Sequence, residues 1–133
     1  MQDMYNNVGI LSSIAAQAIA AAVNGVGVDL ANFNSATVIL DLGTFAGTTP
    51  TATIQVQESD DNVTFTAVAD AELIGGVLPA TIDTTNDLTV YKRGYNGIKR
   101  YLRVAVTAVT GTGPSLPASA TIVRGHARKY PIL

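Results

Sequence analysis

The chain has no cysteine, no tryptophan and a single histidine. Without cysteine there is no disulfide, no thiol nucleophile and no thiolate-held metal. The one histidine, His126, stands close to the C-terminus, a poor place for a Ser-His-Asp triad, which needs a rigidly oriented imidazole. No HExxH, GxSxG, Walker or Rossmann glycine pattern occurs. Gly25-Val26-Gly27 and Gly111-Thr112-Gly113 lack the flanking lysine or helix of a phosphate cradle and read as turns. These absences lead us to expect no catalytic activity, no cofactor and no metal site. Charge is scarce as well: 14% of residues are ionised, against roughly 25% in an ordinary soluble domain. So bland a surface is expected to be covered by neighbours.

What charge there is divides sharply along the chain. All ten acids lie between Asp3 and Asp87, and all eight bases between Lys92 and Lys129. Residues 1–87 therefore carry −10 and residues 88–133 carry +8, which sum to the net −2. Two readings stand side by side. Acidic strands pair with basic ones, Arg100 for instance with Asp41 or Asp83, or a basic patch meets an acidic partner or a second copy head to tail. Residues 4–28 carry no charge at all, yet their Asn, Gln, Ala and Gly content is too polar for a membrane span. With Asp3 the only charge ahead of that stretch, no basic n-region is present and a signal peptide is not expected.

At 133 residues the chain fits one domain. Leu11, Ile14, Ala15, Ala18, Ile19, Ala22 and Val23 recur at helical spacing, so residues 1–24 are read as a short helix or an extended arm. From Gly25 the period becomes two. Ala36, Val38, Leu40 and Leu42 alternate with Thr37, Ile39 and Asp41, and Ala52, Ile54 and Val56 with Thr53, Gln55 and Gln57, the pattern of strands with one wet face. Asp60-Asp61-Asn62 turns the chain into a second hairpin strand, Val63–Ala69. Leu88–Lys92, Lys99–Thr110 and Ala118–Arg124 read as further strands, separated by turns at Gly94–Gly97 and Gly111–Pro114. The expectation is an all-β fold: an antiparallel β-sandwich, jelly-roll or Ig-like, of about seven to eight strands over residues 25–125, with a basic tail at 126–133.

Two clusters invite a site. Glu58-Ser59-Asp60-Asp61-Asn62 is the densest acidic run, but it lacks the glycine and distal glutamate of an EF-hand and reads as a turn. Lys92, Arg93, Lys99, Arg100 and Arg103 interleave with Tyr91, Tyr95 and Tyr101, as on a nucleic-acid surface. A pI near 5.1 argues against nucleic acid as the partner. The same tyrosines are candidates for stacking a glycan, although sugar-binding surfaces usually include tryptophan.

Several segments in order carry a resemblance: Val28-Asp29-Leu30, Ser35–Gly43, Gln57–Asp61 with Thr64-Phe65-Thr66, Gly94–Val104 and Val123-Arg124-Gly125. Together they resemble a family of small proteins of tailed bacteriophages and prophages that includes capsid decoration, or cement, proteins. The resemblance covers about residues 26–131. It implies a β-sandwich on the exterior of the virion capsid, assembled in the host cytoplasm and often trimeric. Such a protein would bind the major capsid protein of the expanded shell and stabilise contacts between its subunits, with no nucleic acid or membrane as partner. Charge segregation picks out Lys92, Arg93, Arg103, Arg124, Arg128 and Lys129, with the N-terminal run, as candidate contact residues. The alternative is a glycan-recognition module or accessory protein of a phage tail or head fibre.

Overall fold

Period-two patterning drives a chain into sheet because alternate side chains then land on one buried face. A computed structural model describes residues 3–128, and strands occupy most of them. They are β1 (Val8–Ile19), β2 (Val23–Asn24), β3 (Val28–Asp29), β4 (Phe33–Leu42), β5 (Ala46–Ser59), β6 (Thr66–Ala67), β7 (Leu73–Ile74), β8 (Val90–Tyr95) and β9 (Tyr101–Ala127). Short 3-10 turns stand at Tyr5–Asn7 and Asp70–Glu72. All strand pairings are antiparallel. Among the described residues no helix is long and apolar enough to cross a membrane.

The 27-residue β9 is the axis of the molecule. Along one side of it run β1, β2 and β3, from Val8 opposite Gly125 to Asp29 opposite Tyr101. Along the other run β4 and β5, from Phe33 opposite Ala127 to Ser59 opposite Tyr101. β8 pairs with β4, β7 with β8, and β6 with β5. The sheet curls into a half-barrel, so its two halves enclose one core. From the first half come Val38, Leu40 and Leu42 of β4, with Leu116, Ala120 and Ile122 of β9. From the second come Ala52, Ile54 and Val56 of β5, with Leu102, Val104 and Val106 of β9. Each fully buried Leu, Ile or Val contributes about 1.5–3 kcal/mol of transfer free energy.

The all-β antiparallel expectation holds, and four details differ. First, the Ala-rich N-terminal stretch is neither helix nor free arm. It is strand β1, and its Ile14 and Ile19 are buried in the common core. The i, i+3, i+4 spacing there is matched instead by two bulges, after Ser12 and after Ile14, which reset the alternation. Second, Gly111–Pro114 does not turn the chain back. Gly111 (φ +111°) and Gly113 (φ +60°) take up an irregular backbone that continues as β9, held to β5 through bulges around Thr48. Third, the hairpin strand expected over Val63–Ala69 shrinks to β6: the Val63 and Thr64 amides are taken up by the Asp61 turn, and Phe65 lies against Gly27. Fourth, the two layers are not independent of each other: β9 runs through both and joins them into one curled half-barrel. The expected basic tail begins inside the fold: His126 and Ala127 belong to β9, and the Arg128 amide donates to the Asn32 carbonyl (2.9 Å). Lys129 lies outside the described residues.

Candidate functional site

The register separates the candidate basic residues rather than gathering them. Ile39 faces outward because Val38 and Leu40 face the core, and Lys92 sits opposite Ile39, so Lys92 is exposed on the outer face of the first half. Arg93, one residue on, turns to the other side. Its Nε and Nη2 donate to the Val77 carbonyl (3.2 and 3.0 Å), and its guanidinium lies 5.8 Å from the Tyr91 ring centroid. Arg103 points outward from the second half. It donates to Gln57 Oε1 (2.8 Å) and covers the Phe65 ring at 3.9 Å. Arg124 points inward, donating to the Asp29 carbonyl (3.0 Å) and lying 4.4 Å from the centre of the Phe33 ring. Its Nε is buried without a partner. Burial lowers the affinity of both Arg103 and Arg124 for their protons. Arg103 and Arg124 are thus half-buried arginines laid on aromatic faces, an arrangement that covers apolar surface as much as it displays charge.

Part of the split charge of the sequence pairs across the sheet. Arg100 makes a two-pronged ion pair with Asp29 (3.0 and 2.8 Å), and Lys99 reaches Asp60 (2.5 Å). The partner of Arg100 is therefore Asp29, on β3, and neither Asp41 nor Asp83 as expected from sequence. Hydrogen bonding to Arg100 holds the Asp29 carboxyl below the ordinary carboxylate range, and Asp60 raises the Lys99 ammonium above its own. The far end of the molecule keeps an acidic excess: Asp41, Asp83 and Asp87 cluster around the start of β8.

The tyrosines are structural in the same sense. Tyr95 is 8% exposed. Its hydroxyl donates to Glu58 Oε2 (2.5 Å) and accepts from the Lys99 amide (3.1 Å). Burial first, and the Glu58 carboxylate second, push the Tyr95 hydroxyl well above its ordinary value. Tyr91 donates to the Asn86 carbonyl, and Arg100 lies over Tyr101. Among the described residues Tyr91, Tyr95 and Tyr101 do not form an exposed row of aromatic faces on which successive sugar rings or bases would stack.

The acidic run acts as a turn. Asp61 Oδ1 accepts from the Val63 and Thr64 amides and the Ser59 hydroxyl (2.9 Å each), which holds its carboxyl below the ordinary range. Ser35 Oγ and His126 Nδ1 lie 2.8 Å apart on the exposed end of β9, a serine-histidine contact visible only once β4 and β9 are aligned. Among the described residues this is the one side-chain hydrogen bond of His126, and it ties β4 to β9.

Two features were not singled out from the sequence. One is an open cavity of about 530 Å³ at the end of the half-barrel, lined by Leu30–Ala36, Tyr95, Gly97–Arg100 and Arg128. It brings Arg128, from just past β9, beside Lys99 and Arg100, which are adjacent in the sequence. The other is the outer face of the first half. Thr37, Ile39, Thr121 and Val123 form its half-buried centre, and Ile10, Ile74 and Val90 its exposed margins. Alternation in the sequence marks this as the wet face, and its β-branched composition was the available signal.

No protein-family model matches the chain, and no curated protein does. Among solved structures, the fold is similar to that of the SPBc2 prophage-derived protein YomS, with a TM-score of 0.50 and 17% identity, over 87% of this chain and 94% of that one. The likeness is one of overall fold, and it extends over most of both chains.

Proposed function

We propose that the chain is a structural protein of a tailed phage or prophage, and specifically a decoration protein that binds the outside of the expanded capsid and braces contacts between major capsid subunits. The observation that carries the reading is the fold likeness to a prophage-derived protein over almost the full length of both chains. The chemistry of the surface is consistent with it. The half-barrel presents broad, sparsely charged sheet faces, and Arg93, Tyr95, Arg103 and Arg124 are committed to internal contacts. Such surfaces suit many modest contacts repeated over a symmetric shell, where avidity multiplies each one. A protein that binds the assembled shell and not its parts stabilises it by mass action. No catalytic step and no cofactor enter this role.

Co-sedimentation with expanded shells lacking the protein tests the proposal. Saturable binding at a fixed ratio to the major capsid protein is the expected result. Absence of binding to both expanded shells and unexpanded precursors overturns the capsid assignment, and a glycan array would then test the fibre alternative.

A further inference from the structure

We infer that the outer face of the first half, formed by β1, the second part of β9, β4, β8 and β7, is a self-complementary interface that joins two copies of this chain about a two-fold axis. The face is apolar where a solvated sheet face would be polar. Ile10, Ile74 and Val90 are 60%, 61% and 60% exposed, and Ile39 and Val123 lie between them at the centre. The rest of the outward positions on these strands are mainly Thr, Ser and Gly. Five strands at ~4.8 Å spacing and about eight residues at ~3.3 Å give a face of roughly 600 Å². Paired with itself it would bury about 1,200 Å², at the lower bound of specific interfaces.

The charges on this face identify the occupant. Asp41 and Lys92 are the ionised side chains at its outward register positions, one acid and one base. Asp41 lies two residues beyond Ile39 on β4, and Lys92 lies directly across from Ile39 on β8, so the two are diagonal neighbours about 7–8 Å apart. Both are exposed, and among the described residues neither makes an ion pair. A two-fold axis in the plane of the interface, running between them, carries each onto the other. Asp41 of one copy then faces Lys92 of the second, and Lys92 faces Asp41, so one axis satisfies both charges. The same axis crosses the strands of the two copies at nearly a right angle, one of the two favoured ways for sheets to pack. Any partner of one charge sign would leave one of the pair desolvated and unmatched. This inference concerns the chain alone in solution and stands apart from the capsid assignment, whose failure in co-sedimentation would leave it untouched.

Sedimentation velocity of the full chain over a range of concentrations, with circular dichroism to verify folding of every variant, tests it. The wild type is expected to show a monomer–dimer equilibrium. Asp41→Lys and Lys92→Asp, each alone, place like charges opposite one another and are expected to weaken dimerisation at least tenfold. Mixing the two single variants restores both pairs in the heterodimer, so the equimolar mixture should associate as the wild type does. Ile39→Lys, outward-facing and clear of the core, should yield monomer. A wild type that stays monomeric at hundreds of micromolar overturns the inference. So does an oligomer of any size that ignores these substitutions, or a mixture of the two charge variants that fails to associate.

Discussion

Ser13 shows how much one small side chain holds in this fold. It is 2% exposed, and its hydroxyl donates to the Val26 carbonyl (2.9 Å) while accepting from the Val104 amide (3.0 Å). It thereby clips the bulge of β1 to the loop after β2 and to β9. Ser13→Ala would leave the buried Val104 amide unpaired, at about 1–3 kcal/mol. A drop in the chemical-denaturation midpoint with an unchanged slope would register the loss; an unchanged midpoint would mean that the backbone re-pairs without the hydroxyl. Gly25 is fixed by the same contact. A Cβ there would fall on the Val104 carbonyl oxygen and on Ser13 Oγ, so Gly25→Ala is expected to destabilise by more than the serine change, in the same assay. The Asn24-Gly25 pair was legible as a break in the chain. The need for glycine was not, since it arises from β9 crossing a residue 79 positions further on.

At the scale of elements, β1 separates local pattern from tertiary outcome. Its Leu11, Ile14, Ala15 and Ala18 spacing fits a helix, and alanine favours one. An isolated helix of that length is marginal in water, however. A strand there buries Ile14 and Ile19 and pairs nine residues with β9. Deleting residues 1–19 should therefore unfold the domain rather than trim a dispensable arm. A truncated chain that keeps its cooperative thermal transition would refute that. Along β9, Leu116 is fully buried beyond the Gly111–Pro114 irregularity. Leu116→Ala should cost about 2–5 kcal/mol, as large-to-small changes in a packed core do, a loss read as a lower melting temperature. By contrast β4 and β5 were legible because strict alternation across Ala36–Leu42 and Ala52–Val56 admits one buried face.

For the whole molecule, the distribution of charge sets the response to pH. Asp29, Asp61 and Asp83 are each held below the ordinary value by their hydrogen bonds: Asp29 chiefly to Arg100, Asp61 to the Thr64 amide, Asp83 to the Thr85 hydroxyl. Depressed carboxyls contribute stability that is complete above their unfolded value of about 3.9 and is lost as pH falls through the folded values. The melting temperature should be level from pH 7 to about 5 and fall below about 4. Asp29→Asn should make the fall shallower; an unaltered acid limb would show that the Asp29–Arg100 pair takes no part. Tyr95 acts at the other extreme. Its folded value is raised, so its contribution is complete below about pH 10 and is lost as pH climbs beyond that. Tyr95→Phe should remove part of the alkaline loss.

The sequence by itself determined the class of structure and its inward faces. Period-two alternation, turn residues at fixed offsets and the want of any βαβ rhythm leave an antiparallel sheet as the outcome, because each pattern acts over a few residues. Tertiary structure alone decided the rest. Asp29 rather than Asp41 or Asp83 meets Arg100, the candidate residues Lys92, Arg93, Arg103 and Arg124 part company, Tyr95 goes inside, and Asp41 and Lys92 come to share one open face. These facts depend on which strands lie side by side and in what register. That was fixed by how one 27-residue strand, bent through its glycines, gathers flanking segments from both ends of the chain into a single core.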